Sequence, residues 1–253
     1  MRKYLIFSFL CALIVSFTSC MGDGSDMIHY HRVGVVREQP MRCVYTTDDQ
    51  GGIFIVSSPE FEQREELKDG DCCAVDFKTN FSEELGNGVY KAEIFKYDSL
   101  AVWPVYDVQT DTSKVMANEL LFKLKPLKTL YLDGHLFLQT EHQTHWMNQL
   151  ETFHLSYNPD QEVEIGEEGE RIYNLFLRAS QHYEPTDSLE RPTRWLNTTA
   201  FRVHDFLEKA KAAEMEAGQN ALRLKINYVD HFNADTTMCF WTAGEVFTLR
   251  FSN

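Results

Sequence analysis

The sequence predicts a mainly β protein: a small OB-type barrel followed by a β-sandwich with one helix. Three observations predict it. Short β-branched and aromatic runs recur from residue 29 to the end, set apart by Asp, Asn and Gly turns. Five or so of these runs fall within about 75 residues, the scale of a small closed barrel. One later stretch alone shows helical spacing, so the remainder reads as strands and turns.

Taken in order, Arg32 to Val36 and Arg42 to Thr47 are strand candidates. Asp48 to Gly52 is turn chemistry, with acids to start a turn and glycines for positive φ. Ile53 to Ser57 follows as a buried strand, and Pro59 to Leu67 has room for one helical turn. Cys73, Val75 and Phe77 alternate with Ala74, Asp76 and Lys78, as in a half-buried strand. On that pattern at most one of Cys72 and Cys73 faces a core. Tyr90 to Tyr97 is the partner strand, and Trp103 to Tyr106 is expected to close the barrel. The barrel domain is thus placed at 28–110, with a polar linker from Gln109 to Lys114 and the sandwich at 115–253.

The second block opens with Leu120 to Tyr131, apolar with interspersed lysines. His135 to Gln139, Phe153 to Tyr157 and Ile172 to Ala179 read as strands, and Glu162 to Arg171 as an acidic loop. A helix is predicted near 200–217, capped by Thr199 and ended by Gly218. Phe201, Phe206, Leu207 and Ala210 form its buried stripe, with Glu208, Lys209, Lys211 and Glu214 on the wet side. Leu222 to Tyr228 and Phe247 to Phe251 alternate as closing strands.

The leader carries the address. Arg2 and Lys3 precede an apolar run from Tyr4 to Val15, and small residues Ser16, Thr18 and Ser19 precede Cys20. That run is too short to cross roughly 30 Å of hydrocarbon. Residues 1–19 therefore read as a signal peptide and 20–27 as a tether. Phe17-Thr18-Ser19-Cys20 resembles the bacterial lipoprotein box, with Phe17 where Leu is usual, and this makes Cys20 the lipidation site. The expected location is the cell envelope, lipid-anchored in the outer membrane and facing either the periplasm or the outside. The formal charge is −14, and losing Arg2 and Lys3 with the leader takes it to −16. Residues 28–110 hold eight Lys or Arg against fifteen Asp or Glu, a balance of −7 that argues against nucleic acid. Of the cysteines left besides Cys20, none forms a CxxC zinc motif, and a Cys43 link to Cys72 or Cys73 stays open in an oxidising compartment.

The chain resembles the NigD-like lipoproteins of the Bacteroidetes. The stretches that carry this are Asp69-Gly70-Asp71 into Cys72 to Phe77, Gly88-Val89-Tyr90 into Tyr97, Tyr131 to Leu138, Phe153 to Asp160, Ile172 to Ala179, Ala221 to Asp230 and Glu245 to Phe251. The resemblance implies a lipoprotein signal, an OB-type barrel and a C-terminal β-sandwich, with a role around bacteriocin immunity or as an accessory protein. It brings no catalytic residues.

The chemistry written in the sequence is sparse. His142 and His145 are weak candidate zinc ligands beside Glu141, without an HExxH arrangement. GxSxG, Walker and GxGxxG motifs are absent, so no cofactor is expected. Trp146 and Met147 in a polar loop are candidate partner contacts. Ser99, Ser188 and Thr236 each follow an Asp, as in the short O-glycosylation acceptor of these bacteria. The expected function is non-catalytic: membrane attachment through lipid on Cys20, and binding of a protein, peptide or glycan partner. The alternative is a surface hydrolase acting on glycan or peptide.

Overall fold

The structure, a computed structural model, is described over residues 28–39, 41–47, 52–63, 66–86, 88–108, 112–144, 149–182 and 193–251. The leader, Cys20 and the tether lie outside these residues.

The first half is a closed barrel of β1 (Ile28–Arg37), β2 (Cys43–Thr47), β3 (Ile53–Ser57), β4 (Cys72–Gly86) and β5 (Val89–Ser99). Its order is β1-β2-β3-β5-β4, with β1 antiparallel to β4 and β3 parallel to β5. Gly34 lets β1 cross β2 closely: a Cβ there would lie 2.5 Å from the Tyr45 carbonyl oxygen. Between β3 and β4 runs a single helical turn, α1 (Pro59–Glu62). Ser58 Oγ caps it by accepting from Phe61 N at 3.1 Å, which seats Phe61 in the barrel core. Val36, Val44, Phe54, Val56, Val75 and Phe77 fill the rest.

The second half contains β6 (Val102–Tyr106), β7 (Lys125–Leu132), β8 (His135–Thr144), β9 (Leu150–Ser156), β10 (Glu164–Ile165), β11 (Arg171–His182), β12 (Thr193–Arg202), α2 (His204–Glu216), β13 (Ala221–Phe232) and β14 (Cys239–Arg250). The strands run in the order β14-β13-β11-β9-β6-β12-β8-β7, with β10 beside β11. Leu136, Leu138 and Phe201 from β8 and β12 share one buried cluster with Phe153, Leu155, Leu175 and Leu177 from β9 and β11, so the sheet folds over itself as a sandwich. Phe206, Leu207 and Ala210 of α2 enter the same cluster.

Three expectations are corrected. Val102–Tyr106 does not close the barrel; it runs parallel between β9 and β12 and joins the two layers of the sandwich. Residues 200–202 are strand, and the helix begins at His204. Pairing of β12 with β8 along ten residues outweighs the helical spacing read locally, and Thr198-Thr199 suits a pleated strand. The end is as expected: Gly218 sits at φ 75° and closes the helix by donating to the Met215 carbonyl. The third correction concerns Cys72 and Cys73, which are both buried. Cys73 faces the barrel core, while Cys72 belongs to a separate cluster with Val35, Leu132, Phe137 and Ala200 that joins barrel to sandwich. A strand whose outer face meets a second layer has two buried faces.

That joint is reinforced by polar contacts. Arg37 of β1 reaches Asp133 between β7 and β8, its Nε donating to Oδ2 at 2.7 Å and its Nη2 lying 2.6 Å from the same oxygen. Cys43, Cys72, Cys73 and Cys239 are all free thiols. Burial pushes Cys43 up to about 11 and Cys72 and Cys73 up to about 12. Beyond the barrel, the expected polar linker is fastened to the sandwich from Thr112 onward. Trp241 Nε1 donates to the Thr112 carbonyl at 3.2 Å, Cys239 N to that of Ser113 at 2.8 Å and Leu120 N to that of Ala179 at 2.8 Å. Leu120 and Leu124 then enter the sandwich core.

Candidate functional site

The most chemically specific cleft lies where α2 meets the loop after β9. It is a cavity of about 260 Å³ lined by Tyr157, Gln161, Arg171, Tyr173, Phe206 and Lys209, among others. Strand alternation builds one wall. Tyr173, Leu175 and Leu177 share a face, so the strand that fills the core with leucines presents Tyr173 beneath α2. Helical spacing builds the other: Leu207, Ala210 and Glu214 lie on the buried side of α2.

Glu214 was expected on the wet side of the helix, but its side chain is fully buried. The signal was present, because position 214 falls one turn after Ala210 and two after Leu207. Its Oε1 accepts from Arg171 Nε at 2.6 Å and from Tyr173 Oη at 2.8 Å, while its Oε2 has no hydrogen-bond partner among the described residues. The Arg171 side chain remains 33% exposed. Burial is the main cause of a raised Tyr173 pKa, opposed by the Arg171 contact. Phe206 sits between the two tyrosines, with its ring 4.8 Å from that of Tyr157 and 6.3 Å, edge to face, from that of Tyr173. The arrangement can stack on an apolar face and present an oriented guanidinium. Its one buried carboxylate is committed to holding that guanidinium.

The residues selected from sequence fall elsewhere. His142 is buried at the opposite end of the sandwich, with Nε2 3.3 Å from Glu151 Oε1. Glu141, its neighbour, points to the other face and pairs with Arg194, because successive strand residues face opposite ways. The two cannot share one metal. His145, Trp146 and Met147 lie outside the described residues. Among the described residues no three His, Cys, Asp or Glu gather as a metal site, and no helix is long and apolar enough to cross a membrane. Ser99 is exposed at the end of β5 and Thr236 at the β13–β14 turn, while Ser188 lies outside the described residues.

A larger groove of about 450 Å³ separates β7 from β13 and β14. Its chemistry is that of a guarded sheet edge. Pro126, the bulge between Pro126 and Lys128, and a second bulge at Gly244 and Glu245 opposite Ile226 all discourage further pairing. Size therefore does not select the site; the grouping of side chains does.

No family model and no curated protein sequence matches this chain. Solved structures do. An uncharacterised protein from Parabacteroides merdae is 19% identical, with a TM-score of 0.72 over 88% of this chain and 100% of that one. A proposed lipoprotein from Bacteroides fragilis is 13% identical, with a TM-score of 0.53 over 89% and 99%. A NigD-like immunity protein from Bacteroides caccae is also 13% identical over 85% and 91%, but its TM-score of 0.45 is too low to argue from. At these identities the likeness establishes the fold: a barrel followed by a sandwich is an architecture this chain has in common with proteins of the Bacteroidetes.

Proposed function

We propose that this chain is a lipid-anchored cell-envelope protein that binds a partner without transforming it, with the α2 cleft as its seat. The observation that carries the reading is the Glu214–Arg171–Tyr173 arrangement. A buried carboxylate fixes a partly exposed guanidinium beside aromatic walls, which is equipment for recognition. A hydrolase needs an acid and a base, or a nucleophile, within reach of substrate, and the Glu214 side chain is fully buried, with its Oε1 held by Arg171 and Tyr173. The lipoprotein box at Cys20 and the description of the Bacteroides fragilis protein as a proposed lipoprotein both support anchoring. Resemblance to NigD-like lipoproteins supports an immunity or accessory role in the outer membrane, toward the periplasm or the outside. Anchoring concentrates the cleft near the membrane, which raises the effect of even weak affinity.

The test has two arms. Cys20→Ala should leave the protein unlipidated and release it from membranes; retention in the membrane fraction would refute anchoring. A photo-crosslinking side chain at exposed Pro159 should capture a partner in intact cells, and Ala213→Trp, which fills the mouth of the cleft, should abolish the capture. Turnover of a glycan or peptide by the purified protein would overturn the non-catalytic reading.

A further inference from the structure

We infer that the α2 cleft takes an acidic sugar unit of a glycan, a pyranose ring bearing a carboxylate. The inference rests on the cleft being the binding seat. Charge is the first argument. The chain is at −14, yet the cavity of about 260 Å³ is lined by two cations, Arg171 and Lys209, with Glu214 paired to Arg171 and Glu162 in the adjoining groove as the nearby anions. Glu214 occupies the Nε side of Arg171 and orients it, and the Arg171 side chain as a whole stays one third exposed. A planar, oriented fork of donors matches a carboxylate better than a point charge does.

The walls give the second argument. Tyr157, Phe206 and Tyr173 form a bent aromatic surface, and the C–H face of a pyranose ring is the apolar part of an otherwise polar molecule. Asn158 and Gln161 at the mouth carry amides that both donate and accept, as hydroxyl groups require. The third argument is size. The cavity is just below the roughly 300–1,000 Å³ of a drug-sized site, so it fits a single ring rather than a folded segment. A peptide recognised by strand addition would need a free strand edge, and this cleft is walled by side chains from a helix, a loop and β11.

The experiment titrates the full lipidated protein in detergent micelles with D-glucuronate, D-glucose and an acetylated dipeptide with a free C-terminal carboxylate, read by calorimetry. Glucuronate should bind saturably and at least about tenfold more tightly than glucose, with affinity falling as salt rises. Arg171→Met strands buried Glu214 and risks the fold. Lys209→Met at an exposed position, and the paired Arg171→Met/Glu214→Leu, therefore provide the second reading. Each should lower glucuronate affinity, the pair by about tenfold or more. Equal binding of glucose, preference for the dipeptide, unchanged affinity in both variants, or no saturable glucuronate binding would each overturn the inference. If these fail while Ala213→Trp still abolishes cellular capture, the ligand class is wrong and the cleft stands. If Ala213→Trp leaves capture intact, the cleft itself is not the seat.

Discussion

Phe137→Ala tests whether barrel and sandwich are one folding unit. Phe137 is 2% exposed and packs with Leu132 and Ala200 of the sandwich against Val35 and Cys72 of the barrel. Truncating a buried Phe to Ala costs about 3–5 kcal/mol through lost burial and the cavity left behind. That is a large share of a typical stability of about 5–15 kcal/mol. For a chain of this size the expected fall in melting temperature is about 6–20 °C. The assay is urea unfolding followed by tryptophan fluorescence and by far-UV circular dichroism. All four tryptophans lie after residue 100, so fluorescence reports the sandwich alone, whereas dichroism reports both halves. In the unmodified protein the two transitions should coincide, because the joint cluster couples them. Val35→Ala removes the barrel's side of the same contact, so the double variant should deviate from additivity by about 0.5–3 kcal/mol. A loss below about 1 kcal/mol for Phe137→Ala, or strict additivity with Val35→Ala, would refute the coupling.

Two further outcomes are expected. Glu119→Ala should cost about 3–5 kcal/mol, because it leaves Arg178 buried without its ion-pair partner, whereas Glu119→Leu with Arg178→Met should recover most of that loss; denaturant midpoints decide it. Burial, with Arg178 adding to it, lowers the His154 pKa, and burial likewise lowers that of His135. The unfolded chain then binds protons that the folded chain does not, so stability should decline as pH falls through about 6.5 toward the folded values. His154→Gln should flatten that slope between pH 7.5 and 5.5, and an unchanged slope would show that His154 does not contribute.

Local pattern made much of this protein legible before any coordinates. Residues 53–57 form the strand their pattern predicts, because a short apolar run flanked by turn residues has few other ways to bury itself. The acidic balance and the mainly β character likewise follow from composition and period. What sequence could not give was partnership across distance. Thr193–Arg202 reads poorly as a strand by itself, and only its neighbours β6 and β8 make it one. Val102–Tyr106 looked like barrel because it follows the barrel in the chain, but its hydrogen bonds go to β9 and β12. Cys72 is buried because a second layer covers the barrel there. Glu214, Arg171 and Tyr173 are 41 and 43 residues apart along the chain, so no motif spacing could have joined them. Sequence by itself determined the mainly β character and most of the individual strands, since those depend on near neighbours. Tertiary structure decided the joint and the cleft, since burial and ion pairing depend on which faces the long-range pairing brings together.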